Sequence, residues 1–184
     1  MNPYKTILYV LLPLFFSACS NEINDELSLE KTLEGLIIGE WVITDFSSEN
    51  TVLTSKSFGK KIAVTINNSN ENGTDDLVLD FKSNPKQLIT DGDFSITMTG
   101  KSESFTFLKT YNCSDFLDNL LIGEWGIINS NLYLSHEKIP VSILIQDLTS
   151  TQLKLNVTID QTIDANGKEA TLNALFCLTF SRIN

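Results

Sequence analysis

From Trp41 to its end the chain alternates apolar and polar residues in one short run after another, a pattern that fits antiparallel β-structure and little else. Ile62, Val64 and Ile66 fall on one side of such a run, with Lys61, Ala63 and Thr65 on the other. The pattern returns at Leu77, Leu79 and Phe81, at Phe94, Ile96 and Met98, and at Phe105 and Phe107. It continues at Leu132 and Leu134, at Val141, Ile143 and Ile145, and at Leu153, Leu155, Val157 and Ile159. The last run sets Leu172, Ala174, Phe176, Leu178 and Phe180 on one side. With the segment at Trp41 this makes about nine or ten strands. Asn67–Asp76, Ser83-Asn84-Pro85, Asp91-Gly92-Asp93 and Asp164–Gly167 supply turn residues between them. One segment breaks the rhythm: Ser114 can cap a short helix near 114–122, with Asp115 at its positive end and Phe116, Leu117, Leu120 and Leu121 inward. Many short strands without βαβ alternation mean a sandwich or a barrel, and one-sided alternation over so many strands favours closure. The expected fold is all-β, an antiparallel up-and-down barrel of about 8–10 strands.

A second feature is a repeat. Leu36-Ile37-Ile38-Gly39-Glu40-Trp41 returns as Leu120-Leu121-Ile122-Gly123-Glu124-Trp125, and these hold the only two tryptophans of the chain. A glycine lets the backbone turn tightly, and a large ring two residues on can plug the end of a β core. Gly39-Glu40-Trp41 at the start of the first strand resembles the Gly-x-Trp motif of the lipocalin family, in particular the lipocalin-like lipoproteins of Bacteroidota. The resemblance covers Leu36 to Ile183 and implies a lipocalin-like barrel. It also implies that Trp41 plugs one barrel end under an arginine from near the end of the domain. Arg182 lies on the same side of its run as Phe180 and suits that place, for a cation–π contact of about 0.5–2 kcal/mol. The second copy and the helix before it depart from single-motif lipocalins. Lys61–Ile66 also echoes Lys138–Ile143, so an internal duplication, 36–112 and 120–184, stands beside two small β-domains as a reading of the repeat.

The first residues are not part of the barrel. Lys5 precedes an apolar run from Thr6 to Ala18, too short to span a bilayer and suited to a secretory signal. Phe16-Ser17-Ala18-Cys19 resembles a bacterial lipobox, with Phe16 where Leu is usual. That resemblance implies that residues 1–18 are a signal peptide and that Cys19, lipidated, anchors the protein to the lipid bilayer. One acyl chain anchors only marginally, so attachment takes several. Residues 19–35 form an acidic tether in which Glu22, Asp25, Glu26, Glu30 and Glu34 face one Lys31. Its early acidic residues resemble a surface-export signal, and a solvated spacer would have the same composition. Leu29, Leu33 and Leu36 allow a short helix leading into Gly39. The expected location is the bacterial outer membrane, on its periplasmic or cell-surface side, with the barrel over 36–184.

A net charge of −10 with scattered basic residues argues against nucleic acid. The single histidine, His136, sits beside Glu137 in a hairpin, and the paired carboxylates Asp75-Asp76 and Asp91/Asp93 lie in turns. Asp160–Gly167 has some likeness to a calcium loop but lacks its acidic spacing and distal Glu. No catalytic residue, metal or cofactor is expected, and the protein reads as a non-enzyme. Cys113 and Cys177 form either a disulfide or two packed thiols.

The expected function is a membrane-anchored binding barrel that holds a small apolar ligand. Ile62, Leu79, Phe94, Ile96, Phe105, Phe107, Val157 and Phe176 would line its cavity. The alternative is an accessory envelope lipoprotein with a solid barrel, meeting a protein partner through Asn67–Asp76 or the helix at Ser114–Leu121.

Overall fold

The computed structural model describes residues 31–55, 61–68, 76–102, 105–112, 117, 120–136, 139–165 and 167–183. It opens in a helix, α1 (residues 31–37), followed by eleven strands. These are β1 (Gly39–Ser55), β2 (Lys61–Asn68), β3 (Val78–Ser83), β4 (Lys86–Asp91), β5 (Ser95–Ser102) and β6 (Phe105–Asn112). They continue with β7 (Gly123–Ile128), β8 (Asn131–His136), β9 (Ile139–Leu148), β10 (Gln152–Asp164) and β11 (Glu169–Arg182).

Eight of the eleven close a ring, in the order β1, β3, β4, β7, β8, β9, β10, β11 and back to β1. Each ring strand pairs antiparallel with its neighbours, so within the ring the path is up-and-down. The chain departs from a plain meander at two points. β2 is inserted between β1 and β3, and the β5–β6 hairpin between β4 and β7, giving a side sheet β1–β2–β5–β6.

The long strands explain how one chain supports both. β1 runs 17 residues against β11, with register shifts between Ile43 and Asp45 and between Glu49 and Val52. Such bulges bend a strand and strengthen its twist. On its other edge, β1 pairs with β3 over Gly39–Val42 and with β2 over Val52–Thr54. β10 likewise pairs with β9 only over Leu153–Asn156, while its pairing with β11 runs on to Asp164. The barrel thus has a closed half ringed by eight strands, termed the narrow half, and an unclosed half walled by β10, β11, β1, β2, β5 and β6, termed the wide half.

One apolar cluster fills both halves, from Ile37 and Trp41 at one end to Ile163 and Leu172 at the other. Phe46, Phe94 and Phe176 meet at their junction, with ring centroids 5.5 Å and 5.1 Å apart for Phe46–Phe94 and Phe46–Phe176. Of the helix expected near 114–122, Leu117 is helical and its carbonyl accepts from the amides of Leu120 and Leu121. Residues 120–122 form a turn leading into β7 rather than further helix, and 114–116, 118 and 119 lie outside the described residues. Leu117 and Leu121 are buried.

Candidate functional site

The narrow end is sealed by a clamp on α1. Trp41 is wholly buried, and its indole Nε1 donates to the carbonyl of Ile37, 2.7 Å away at the foot of the helix. Arg182, opposite Trp41 in the β1–β11 register, lays its guanidinium over the ring at 4.2 Å. The same group donates to the carbonyls of Leu36 and Ile38 at the helix end and to Ser150, so one cation gathers three backbone acceptors. A cation suits that position, because helix C-terminal carbonyls are unpaired and carry partial negative charge. Gly39 makes the approach possible: at φ 123° a β-carbon there would lie 2.8 Å from Arg182 Nη1.

The second Gly-Glu-Trp mirrors the first. Gly39 pairs with Phe81, Phe81 with Leu88, and Leu88 with Gly123, so the two glycines end one row across four strands. A local two-fold through the β3–β4 hairpin relates them, and both take a strongly positive φ, 123° and 115°. Trp125 also donates its Nε1 to a carbonyl, that of Lys82, and also carries a cation, Lys86 at 5.1 Å. Lys86 bonds Glu34 of α1 at 2.7 Å. The copies open the first and fourth strands of the ring, dividing it three and five.

The other end is built differently. β6 and the outer half of β10 face each other with no strand pairing between them among the described residues. Lys109–Asn112 and Gln161–Asp164 border a cleft of about 430 Å³ along this seam. Side chains span it. The Tyr111 hydroxyl donates to the Asp164 carbonyl at 2.7 Å, and Lys109 Nζ reaches the same carbonyl at 3.1 Å and the Asp164 carboxylate at 3.3 Å. Lys109 also lies 4.8 Å over the Tyr111 ring. Burial, with the Asp164 charge adding to it, pushes the Tyr111 hydroxyl up to about 12, so it stays protonated as a donor. The Asp164 carboxylate is engaged within its own turn as well, accepting from Gly167 N at 2.6 Å.

Behind the seam the lining is apolar. Ile62, Ile96 and Phe107 are buried in the wide half, Phe94, Val157 and Phe176 near the junction, and Leu79 pairs with Trp41 in the narrow half. The side chain of Phe105, like Cys19 and Cys113, lies outside the described residues. Cys177 is a free, half-buried thiol, held above its ordinary value by burial first and by Glu49 second.

Sequence reading missed Lys109, Tyr111, Gln161 and Asp164. A signal existed: Lys109 and Tyr111 continue the inward register of Phe105 and Phe107, and Gln161 that of Ile159. Polar groups placed on an inward face mark where a barrel wall opens. Compared with known proteins, the chain matches no family model and no curated protein. What it does is then read from its geometry.

Proposed function

We propose that the protein is a non-enzymatic, lipocalin-like binding barrel, anchored to the envelope through Cys19, that takes a small apolar ligand into its wide half. The observation that carries this reading is the seam: an apolar interior lies behind a wall spanned by side chains of Tyr111 and Lys109. Binding sites favour apolar walls with a few convergent polar groups, which Tyr111, Lys109 and Gln161 supply at the rim. Met98 and the small Ala170 and Ala174 in this half can yield to a guest more readily than packed aromatics. Titration with an apolar fluorescent probe tests the reading. Saturable enhancement that Ala174→Phe abolishes without unfolding the barrel is expected, and no enhancement would contradict it.

The contacts expected for the accessory reading, Asn67–Asp76 and the helix at Ser114–Leu121, lie mostly outside the described residues, but a different surface favours that reading. The outer face of β2, β5 and β6 carries a groove of about 470 Å³ bordered by Ala63, Thr65, Thr99, Lys101, Thr106 and Leu108. Leu108 there is 65% exposed. A barrel that stays empty of probe would direct attention to that face.

A further inference from the structure

The turns at the narrow end differ from the rest of an acidic chain, although Glu34 of α1 and the exposed Glu40 lie at the same end. The three described turns there, 83–86, 129–130 and 149–151, read Ser-Asn-Pro-Lys, Asn-Ser and Thr-Ser-Thr, without one acidic residue. The connections described at the far end contain Asp91, Asp93 and Asp164. Beside the acid-free turns, the outer wall of β7, β8 and β9 exposes Ile128, Tyr133 and Leu144, at 52%, 39% and 46%. Asn131 pairs with both Ile128 and Leu144, and Tyr133 follows one row on, opposite Gly126. A β-carbon on Gly126 would meet nothing within 4 Å, so the ground beside Tyr133 is open. The residues between these three are Asn129, Ser130, Asn131 and Ser142, all uncharged. Glu124 and Asp147 bound the patch on the walls.

The chain enters the barrel at this same end. Arg182 joins α1 to the turn at Ser150, and Lys86 joins it to the turn at 83–86. Eleven residues separate Cys19 from residue 31. Fully extended they span at most about 36–40 Å, so an acylated Cys19 keeps this end within reach of a bilayer.

We infer that the narrow end of the barrel is a membrane-contact face, on which Ile128, Tyr133 and Leu144 rest at the lipid headgroup boundary. It rests on the proposed anchor at Cys19. A tyrosine with an apolar body and a polar tip, flanked by branched aliphatic side chains, suits that boundary. A lipid anchor alone would leave the barrel free to tumble on its tether. Contact at this face would fix its pose, with the narrow end toward the lipid and the Asp91 and Asp164 turns away from it.

The test uses the full lipidated chain in vesicles of phosphatidylethanolamine and phosphatidylglycerol, with and without brominated acyl chains. Tyr133→Trp places a reporter on the face and Leu108→Trp one on the side sheet, while Trp41 and Trp125 are buried in every version. Expected is a several-fold greater bromine quenching for the first reporter than for the second, lost when Ile128 and Leu144 are both changed to Glu. Equal quenching of the two reporters, or none in protein that floats with the vesicles, would overturn the inference while leaving the anchor intact. Protein whose unquenched reporter changes with its own concentration would assign the face to a second copy and overturn it equally. Failure to float would overturn the anchor and this inference together.

Discussion

Arg182 and Trp41 face each other across the β1–β11 pairing, guanidinium over indole at 4.2 Å, and the same guanidinium binds the carbonyls of Leu36, Ile38 and Ser150. Those contacts use the planar fork of arginine, which a lysine ammonium cannot reproduce. Arg182→Lys should therefore cost about 2 kcal/mol in a urea melt although the charge is kept. An unchanged midpoint would remove the clamp as an element of stability.

Gly39 and Gly126 separate two kinds of glycine. The first has φ 123° and Arg182 against its missing β-carbon; the second has open space. Gly39→Ala should destabilise by about 1–3 kcal/mol through backbone strain. Gly126→Ala should be neutral or gain a few tenths, from a less flexible unfolded chain. Thermal melts should place Gly39→Ala below the wild type and Gly126→Ala at or above it.

Trp41 is fully buried and hydrogen-bonded, so Trp41→Ala should cost about 3–5 kcal/mol as a core truncation. Denaturant unfolding would show it, and a variant of unchanged stability would contradict the plug.

The seam has a pH signature. The Tyr111 hydroxyl titrates near 12 in the fold against about 10 in an unfolded chain, so folding favours its neutral form. Its contribution is complete below about pH 10 and is lost as pH rises toward 12. Tyr111→Phe should lower stability by about 1 kcal/mol at neutral pH. The gap to wild type should then shrink between pH 10 and 12, as difference melts would show.

Cys177 should alkylate slowly at neutral pH, since burial and the Glu49 charge hold it as a thiol and the thiolate is the reactive form. Addition of urea should release the reaction; fast labelling of folded protein would place the thiol elsewhere.

The sequence showed most of the strands because burial on one face leaves a period of two in the residues. β4 escaped because in Lys86–Asp91 only Leu88 is buried, so there was no alternation to read. The branch of β2, β5 and β6 was hidden for the opposite reason. These strands alternate as the ring strands do, and nothing local says whether the neighbour is β3 or β2. The full length of β1 was hidden because Ser47-Ser48-Glu49-Asn50 holds no apolar residue to carry the alternation on, and it is a stretch of strand interrupted by a bulge. At the narrow end, the resemblance of Gly39-Glu40-Trp41 to the lipocalin motif brought Arg182 toward Trp41, and the shared side of Arg182 and Phe180 agreed with it. The wide end left only the inward register of Lys109, Tyr111 and Gln161 as a trace in the sequence, because its Lys109–Asp164 and Tyr111–Asp164 contacts join residues more than fifty apart and carry no motif.

Native mass spectrometry of the protein extracted from its own cell envelope tests the binding role most directly. A barrel that takes a small apolar ligand should carry one reproducible added mass, absent from Ala174→Phe. A monomer that is empty from every extract, and stays empty when offered apolar probes, would contradict the binding role.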